Sequence, residues 1–145
     1  MNDPFELQRF VDAQAAVIDG VLGELRDGRK RSHWMWFVFP QLAGLGRSET
    51  ARRYAISSLD EARAYLAHPL LGARLRQCSA LVLAVQGRTI AEIFGAPDDL
   101  KFHSSMTLFL AADSSQTIFS ECLHKYFNGR TDEGTLSLLQ SDHAR

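Results

Sequence analysis

Cysteines, an export signal and long apolar runs are scarce or missing in this chain of 145 residues. Its two cysteines, Cys78 and Cys122, are too few for a disulfide framework, so we expect two reduced, structural thiols. The first residues lack a basic stretch followed by an apolar run, which argues against a signal peptide. The longest apolar stretch, from Ala80 to Val85, is far shorter than the ~20 residues that cross a bilayer. These features predict a cytoplasmic protein that does not bind membranes.

The chain also lacks a strong net charge. Sixteen basic residues oppose 17 acidic residues, which gives a formal charge of -1 at pH 7. Such a balance does not attract nucleic acid, so we expect no nucleic-acid partner and look for anion binding only in local clusters. A hydrophobic content of 46% and a charged content of 23% are typical of a globular protein. We predict one domain over residues 1–145, since a chain of this mass buries about two-thirds of its unfolded surface.

Motifs of familiar catalytic and metal sites are missing as well. The sequence holds no Cys-x-x-Cys pair, and no two of its five histidines stand four residues apart, as a helical zinc site requires. The phosphate-binding and dinucleotide-binding glycine patterns are absent, and so is the Gly-x-Ser-x-Gly pattern of many hydrolases. We therefore predict neither a metal nor a cofactor.

Apolar residues recur at helical spacing along most of the chain. The first helix is expected to begin at Asp3 and Pro4 and to stop at Asp27 and Gly28. Capping boxes at Ser58–Glu61 and Thr89–Glu92 predict the starts of two further helices. The fold prediction is an all-α bundle of about seven or eight short-to-medium helices without a substantial sheet, followed by a frayed tail at 140–145.

The segment from His33 to Phe39 is ambiguous. Its aromatic and valine content would suit a strand, but a lone strand leaves its backbone groups without partners. We therefore predict a short buried helix that ends before Pro40. A mixed α+β fold would require this segment to pair with Ala80–Val85.

Two segments, residues 30–41 and 98–109, combine bulky rings with side chains that can bind an anion or move a proton. Asp98, Lys101 and Ser105 are spaced to lie roughly along one face of a helix. We expect the two segments to form one pocket. The candidate site residues are Lys30, His33, Trp34, Trp36, Gln41, Asp98, Lys101, Ser104, Ser105 and Thr107.

The chemistry of each side chain suggests a role in such a pocket. Lys30 and Lys101 would hold negative charge, Trp34 or Trp36 would stack on a planar ring, and His33 would move protons. The hydroxyl and amide groups of Gln41, Ser104, Ser105 and Thr107 would orient the polar groups of a ligand. Ser105 could be a nucleophile only with a base such as His33 in hydrogen-bond reach. The catalytic candidates are therefore Ser105 and His33, together with Lys101, which would hold the anionic group.

The same residues also permit a structural interpretation. Tryptophans are common core anchors, and Asp98 beside Lys101 can form an ordinary ion pair at a helix start. The leading prediction is a protein that binds, and could process, a small anionic, nucleotide-like ligand. General acid–base hydrolysis or N-glycosidic cleavage would fit its side chains. The alternative is a non-enzymatic interaction module whose aromatic residues form the core.

Residues 28–41 carry the pattern Gly-x-Lys-x-Ser-His-Trp-Met-Trp-Phe-x-Phe-Pro-Gln, and 98–109 carry Asp-x-x-Lys-x-x-Ser-Ser-Met-Thr-Leu-Phe. With these patterns the chain resembles, from about residue 5 to 139, the bacterial and fungal family catalogued as domain of unknown function 1810. The resemblance implies a compact, mostly helical domain, and it implies no activity, substrate or catalytic residue. The calpastatin label sometimes given to this family does not suit a globular chain, because that inhibitor is disordered and repetitive.

Overall fold

Helices make up all of the regular structure in residues 2–143, which are the residues that this computed structural model describes. In chain order they are α1 (Gln8–Ala15), α2 (Ile18–Arg26), α3 (Met35–Val38), α4 (Glu49–Arg53), α5 (Leu59–Ala67), α6 (Leu71–Ala84), α7 (Ile90–Phe94), α8 (Asp98–Ala112), α9 (Thr117–Phe127) and α10 (Glu133–His143). The only extended pairing in this range is a single parallel bridge between Leu42 and Ile56. The all-α prediction is confirmed.

The α+β alternative is wrong, because Ala80–Val85 is mostly the end of helix α6 and pairs with no strand. The short helix predicted for His33–Phe39 is present as α3, a single turn that ends before Pro40. Residues 2–143 hold ten helices rather than about seven or eight. One reason is that the first predicted helix breaks at Val17, whose backbone leaves the helical region (φ -121°, ψ -12°). The break separates α1, which packs on α3, from α2, which packs on α6.

Several helix ends are formed as the sequence predicts. Thr89 and Glu92 form the complete capping box of α7, and α2 is followed by Gly28 in the left-handed region (φ +72°). At α5 only half of the predicted box exists: the Ser58 hydroxyl accepts a hydrogen bond from Glu61 N, but the Glu61 carboxylate turns to Ser57. The tail predicted to fray from 140 is instead helical to His143, and 144–145 lie outside the described residues.

Helix α8 lies at the centre of the core and contacts α5, α7, α9 and α10. The ring of Phe102, in α8, lies 5.0 Å from the rings of both Phe39 and Phe94. The Trp34 ring lies 6.2 Å from that of Phe39. These rings are almost fully buried, so they tie α3 and α7 to the first half of α8. No helix in the described part of the chain is long and apolar enough to cross a membrane.

Candidate functional site

The two candidate segments meet at the start of α8. The Nζ of Lys30 lies 2.8 Å from Oδ2 of Asp98, and the Nζ of Lys101 lies 3.6 Å from Oδ1 of the same carboxylate. Each ammonium group also faces an indole ring, at 5.2 Å for Lys30 and Trp34 and at 5.3 Å for Lys101 and Trp36. Both distances are within the range of a cation–π interaction. Asp98 therefore joins two lysines that come from distant parts of the chain.

The space between the two segments is small. A crevice of about 10 Å³ has Trp36, Gln41, Tyr54 and Lys101 among its lining residues. That volume is about what a single water molecule needs. The segments thus converge, but the gap between them is filled by their own side chains and does not admit a metabolite.

A larger cleft adjoins Lys30. Its volume is about 400 Å³, within the range of small-molecule sites. We call it the basic cleft, and its lining residues are Arg29, Lys30, Arg88, Ala91, Glu92, Ile93, Phe94 and Gly95. One wall is the loop after α2, the other is the connection from α6 through α7, and the hydrogen bond from Lys30 N to Ile93 O (2.7 Å) joins the two.

Positive charge predominates in the basic cleft. Arg29 and Arg88 are exposed, and neither forms an ion pair within residues 2–143. The side chain of Arg88 crosses Gly28, where a Cβ would lie 3.4 Å from the arginine Cδ. The carboxylate of the one acid, Glu92, accepts a hydrogen bond from Thr89 N at 2.8 Å. This bond and the neighbouring Thr89 hydroxyl lower the pKa of Glu92 and keep it ionised. Its carboxylate is already engaged in the α7 capping box.

The loop that carries Arg29 and Lys30 is fastened to Glu24 of α2. The Glu24 carboxylate accepts hydrogen bonds from Arg31 N (2.6 Å), Ser32 N (3.0 Å), Ser32 Oγ (2.5 Å) and Trp34 Nε1 (3.0 Å). Partial burial acts to raise the pKa of Glu24, but these hydrogen bonds together outweigh it and lower the pKa to about 2. Glu24 therefore stays ionised at neutral pH and neutralises part of the loop's charge.

Ser104 and Thr107 face α10 rather than the basic cleft. The Ser104 hydroxyl lies 3.1 Å from Leu100 O and 3.2 Å from a carboxylate oxygen of Asp132. The Thr107 hydroxyl donates to His103 O at 2.9 Å and accepts from Asp132 N at 2.8 Å. Asp132 in turn accepts two hydrogen bonds from Thr135 in the first turn of α10. These hydroxyls fix the start of α10.

The remaining candidates do not form a nucleophile–base pair. Ser105 is completely buried, and its hydroxyl has no hydrogen-bond partner in the described part of the chain. His33 is exposed on the loop before α3. The ring of His103 stacks on Phe127 at 4.0 Å, and its Nε2 lies 2.8 Å from Arg130 O.

The thiols are equally unsuited to nucleophilic chemistry, because burial raises the pKa of both Cys78 and Cys122 to about 12. Nor do residues 2–143 contain a group of three or more His, Cys, Asp or Glu side chains that could hold a metal ion. The basic cleft is therefore distinguished by its positive charge and its shape rather than by reactive side chains.

Sequence reasoning missed Glu24 and Arg88, which lie outside both candidate segments. Glu24 binds partners seven to ten residues later in the chain, beyond any helical spacing rule. Arg88 follows α6 by four residues and reaches the cleft only because α6 and α2 pack together. A basic residue next to Gly87 was the one available signal, and on its own it indicates only a helix end.

Comparisons with known proteins agree with this fold. A family model described as "Protein of unknown function (DUF1810)" matches residues 4–139. Among solved structures, the chain is similar to the conserved hypothetical protein Rv1873 from Mycobacterium tuberculosis, with 61% sequence identity and a TM-score of 0.94. That alignment covers 95% of this chain and 99% of the other. No match is found among curated proteins.

Proposed function

Because the chain belongs to DUF1810, a family of proteins of unknown function, we propose a function from its own geometry: it binds a small, phosphate-bearing ligand in the basic cleft. One observation carries the proposal. Three cationic residues from two separate segments, the exposed Arg29 and Arg88 and the largely buried Lys30, line a cleft of about 400 Å³ that holds a single carboxylate. The proposed pocket therefore includes Lys30 of segment 30–41 but no residue of 98–109, since the gap between the two segments has room for about one water.

The three cations offer different chemistry to an anion. Arg29 and Arg88 present planar guanidinium groups, which bind phosphate oxygens in pairs. The ammonium group of Lys30 is already bonded to Asp98, so it supplies a point charge that is partly neutralised. Excess charge therefore comes mainly from the two arginines. The α7 wall of the cleft, where Ala91 is exposed, would contact the uncharged part of a nucleotide-like ligand.

The proposed role is binding without a chemical step. None of the catalytic candidates supports a reaction: Ser105 is buried and no histidine is hydrogen-bonded to it in residues 2–143, and Lys101 is held between Asp98 and Trp36. His33 is exposed on its loop without a carboxylate hydrogen-bonded to its ring in residues 2–143. General acid–base catalysis needs a positioned donor or acceptor, which this arrangement does not supply.

The interaction-module alternative has no specific observation in its favour. Trp34 is buried, and this burial is consistent with both the interaction module and ligand binding. In the described part of the chain, Leu70 and Leu100 are the large apolar side chains more than a third exposed. Two such residues do not make the apolar patch of several hundred Å² that marks a docking surface.

A thermal-shift titration tests the proposal. Wild type would be measured with inorganic phosphate, diphosphate, ADP and citrate, beside Arg88→Gln, Lys30→Gln and the control Arg47→Gln, whose arginine is exposed outside the cleft. A ligand at a hundred times its Kd stabilises by about 2.7 kcal/mol, which raises Tm by several degrees. We expect phosphate compounds to shift wild type and Arg47→Gln, and to shift the two cleft variants much less.

Two results would contradict the proposal. One is the absence of any shift for wild type with every phosphate compound. The other is a shift that Arg88→Gln and Lys30→Gln both retain in full, because binding would then occur outside the cleft. A shift with citrate alone would replace phosphate by carboxylate as the ligand class.

A further inference from the structure

We infer that Glu24 is the positioning residue of the basic cleft: it holds residues 29–34 in the conformation that presents Arg29 and Lys30 to a phosphate group. The inference rests on the proposed function, since it assigns Glu24 a role toward a ligand of that cleft. Glu24 is not part of the cleft lining, so it acts through the loop and not by touching the ligand.

Several backbone and side-chain donors of residues 29–34 form hydrogen bonds with Glu24. The backbone oxygen of Glu24 accepts a hydrogen bond from Arg29 N at 3.0 Å. Its carboxylate accepts from Arg31 N, from both the N–H and the hydroxyl of Ser32, and from the Trp34 indole. Lys30 N, between them, donates to Ile93 O across the cleft. The backbone N–H groups of four successive loop residues are therefore all satisfied, three of them by Glu24.

The loop needs such an anchor because of its charge. Arg29, Lys30 and Arg31 are consecutive cations, and their mutual repulsion favours an extended chain in which they point apart. Asp27 binds Arg31 (3.0 Å) and Asp98 binds Lys30 (2.8 Å), but both of these pairs restrain side chains only. The Glu24 carboxylate restrains the backbone itself. A loop that is ordered before the ligand arrives does not lose conformational entropy on binding, so affinity is higher.

Calorimetric titration with inorganic diphosphate tests this role in wild type, Glu24→Ala, Glu24→Gln and the control Glu121→Ala, which removes an exposed acid of α9. We expect Glu24→Ala to raise the Kd for diphosphate about tenfold or more, equivalent to about 1.4 kcal/mol. Glutamine keeps one oxygen for the donors that share Oε1, and its NH₂ group can donate to the Ser32 hydroxyl. We therefore expect Glu24→Gln and Glu121→Ala to bind nearly as wild type does.

The outcomes separate this inference from the proposed function. If wild type does not bind diphosphate, the proposed function fails and Glu24 has no ligand to serve. If wild type binds and Glu24→Ala binds equally well, the positioning role alone is overturned. A loss in Glu24→Ala that Glu24→Gln does not rescue would also overturn it, because hydrogen bonding would then not be the cause.

A second variant keeps the test valid if Glu24→Ala does not fold. Ser32→Ala removes one of the hydrogen bonds to Glu24 and leaves the carboxylate in place. Faster hydrogen exchange at the Arg31 and Ser32 amides, together with a Kd raised about threefold (about 0.7 kcal/mol), would support the inference. Faster exchange with an unchanged Kd would overturn it, since the loop would then be loosened without consequence for binding.

Discussion

Exchange of Ser105 for alanine removes a hydroxyl that is fully buried and has no hydrogen-bond partner in residues 2–143. Its neighbour Ser104 provides a matched control, because it lies on the same helix and is 5% exposed but bonds to Leu100 O and Asp132. The two variants make the same chemical change one residue apart. Only the hydrogen bonding of the lost oxygen differs.

The expected changes in free energy of unfolding have opposite signs. A buried polar group without a partner costs about 1–3 kcal/mol, and alanine is better than serine in a helix by roughly 0.5 kcal/mol. The small void that the oxygen leaves offsets part of this gain, so Ser105→Ala should stabilise by about 1 kcal/mol. Ser104→Ala loses a hydrogen bond that includes a carboxylate acceptor, worth about 1.5–3 kcal/mol, and should destabilise by about 1 kcal/mol after the same helix gain.

Urea unfolding followed by tryptophan fluorescence measures both variants, with Tm as a second measure. For a chain of this size about 1 kcal/mol corresponds to roughly 3 °C. Destabilisation by Ser105→Ala of about 1 kcal/mol or more would refute the reasoning, because it would mean that the hydroxyl is bonded in solution. Diphosphate affinity should be unchanged in Ser105→Ala, and a loss there would return Ser105 to the functional site.

Two further predictions concern charged groups. Arg9→Ala removes the 2.9 Å ion pair of the buried Glu61 carboxylate, which keeps its hydrogen bonds from Ser57, so it should lower the free energy of unfolding by about 1.5–3 kcal/mol. The exposed control Arg52→Ala should change it by less than about 0.5 kcal/mol. Urea titrations that give equal values for both would contradict the prediction. Since the pKa of Glu24 is lowered from 4.5 to about 2, its ionised form stabilises the fold fully above about pH 4.5 and progressively less as the pH falls toward 2. The stability of wild type relative to Glu24→Gln should therefore be constant from about pH 5 to 7 and decrease below about pH 4.5, and urea unfolding at a series of pH values that shows parallel curves would rule this out.

Local signals in the sequence predicted the helix ends well. Gly28 takes a left-handed conformation at the predicted stop of the first helix, and Thr89 and Glu92 cap α7. In each case the interacting groups are only a few residues apart, so the sequence contains all of the relevant chemistry. The contact between Asp98 and Lys101 is of the same kind, because helical spacing alone brings them together.

Predictions were less successful where a polar group has a choice of partners. The Glu61 carboxylate was expected to complete a capping box but instead binds Ser57 and Arg9, the latter 52 residues away. Ser104 and Thr107 were assigned to a ligand from their place on α8, and in the structure both contact Asp132, a partner that the sequence did not indicate. Their role toward a ligand stays a prediction. Periodicity places such residues on a face of a helix but does not show which other element covers that face. The basic cleft depends on the same long-range packing.

Phe94 belongs both to a wall of the basic cleft and to the aromatic core, where its ring lies 5.8 Å from that of Phe39. Local unfolding of α7 would therefore break core contacts, and such openings are rare compared with the fraying of a surface loop. A ligand would enter and leave a site that is already formed, without waiting for a lid. Association should then be a single kinetic phase with a rate constant of at least about 10⁵–10⁷ M⁻¹s⁻¹, raised further at low salt by the arginines at the rim.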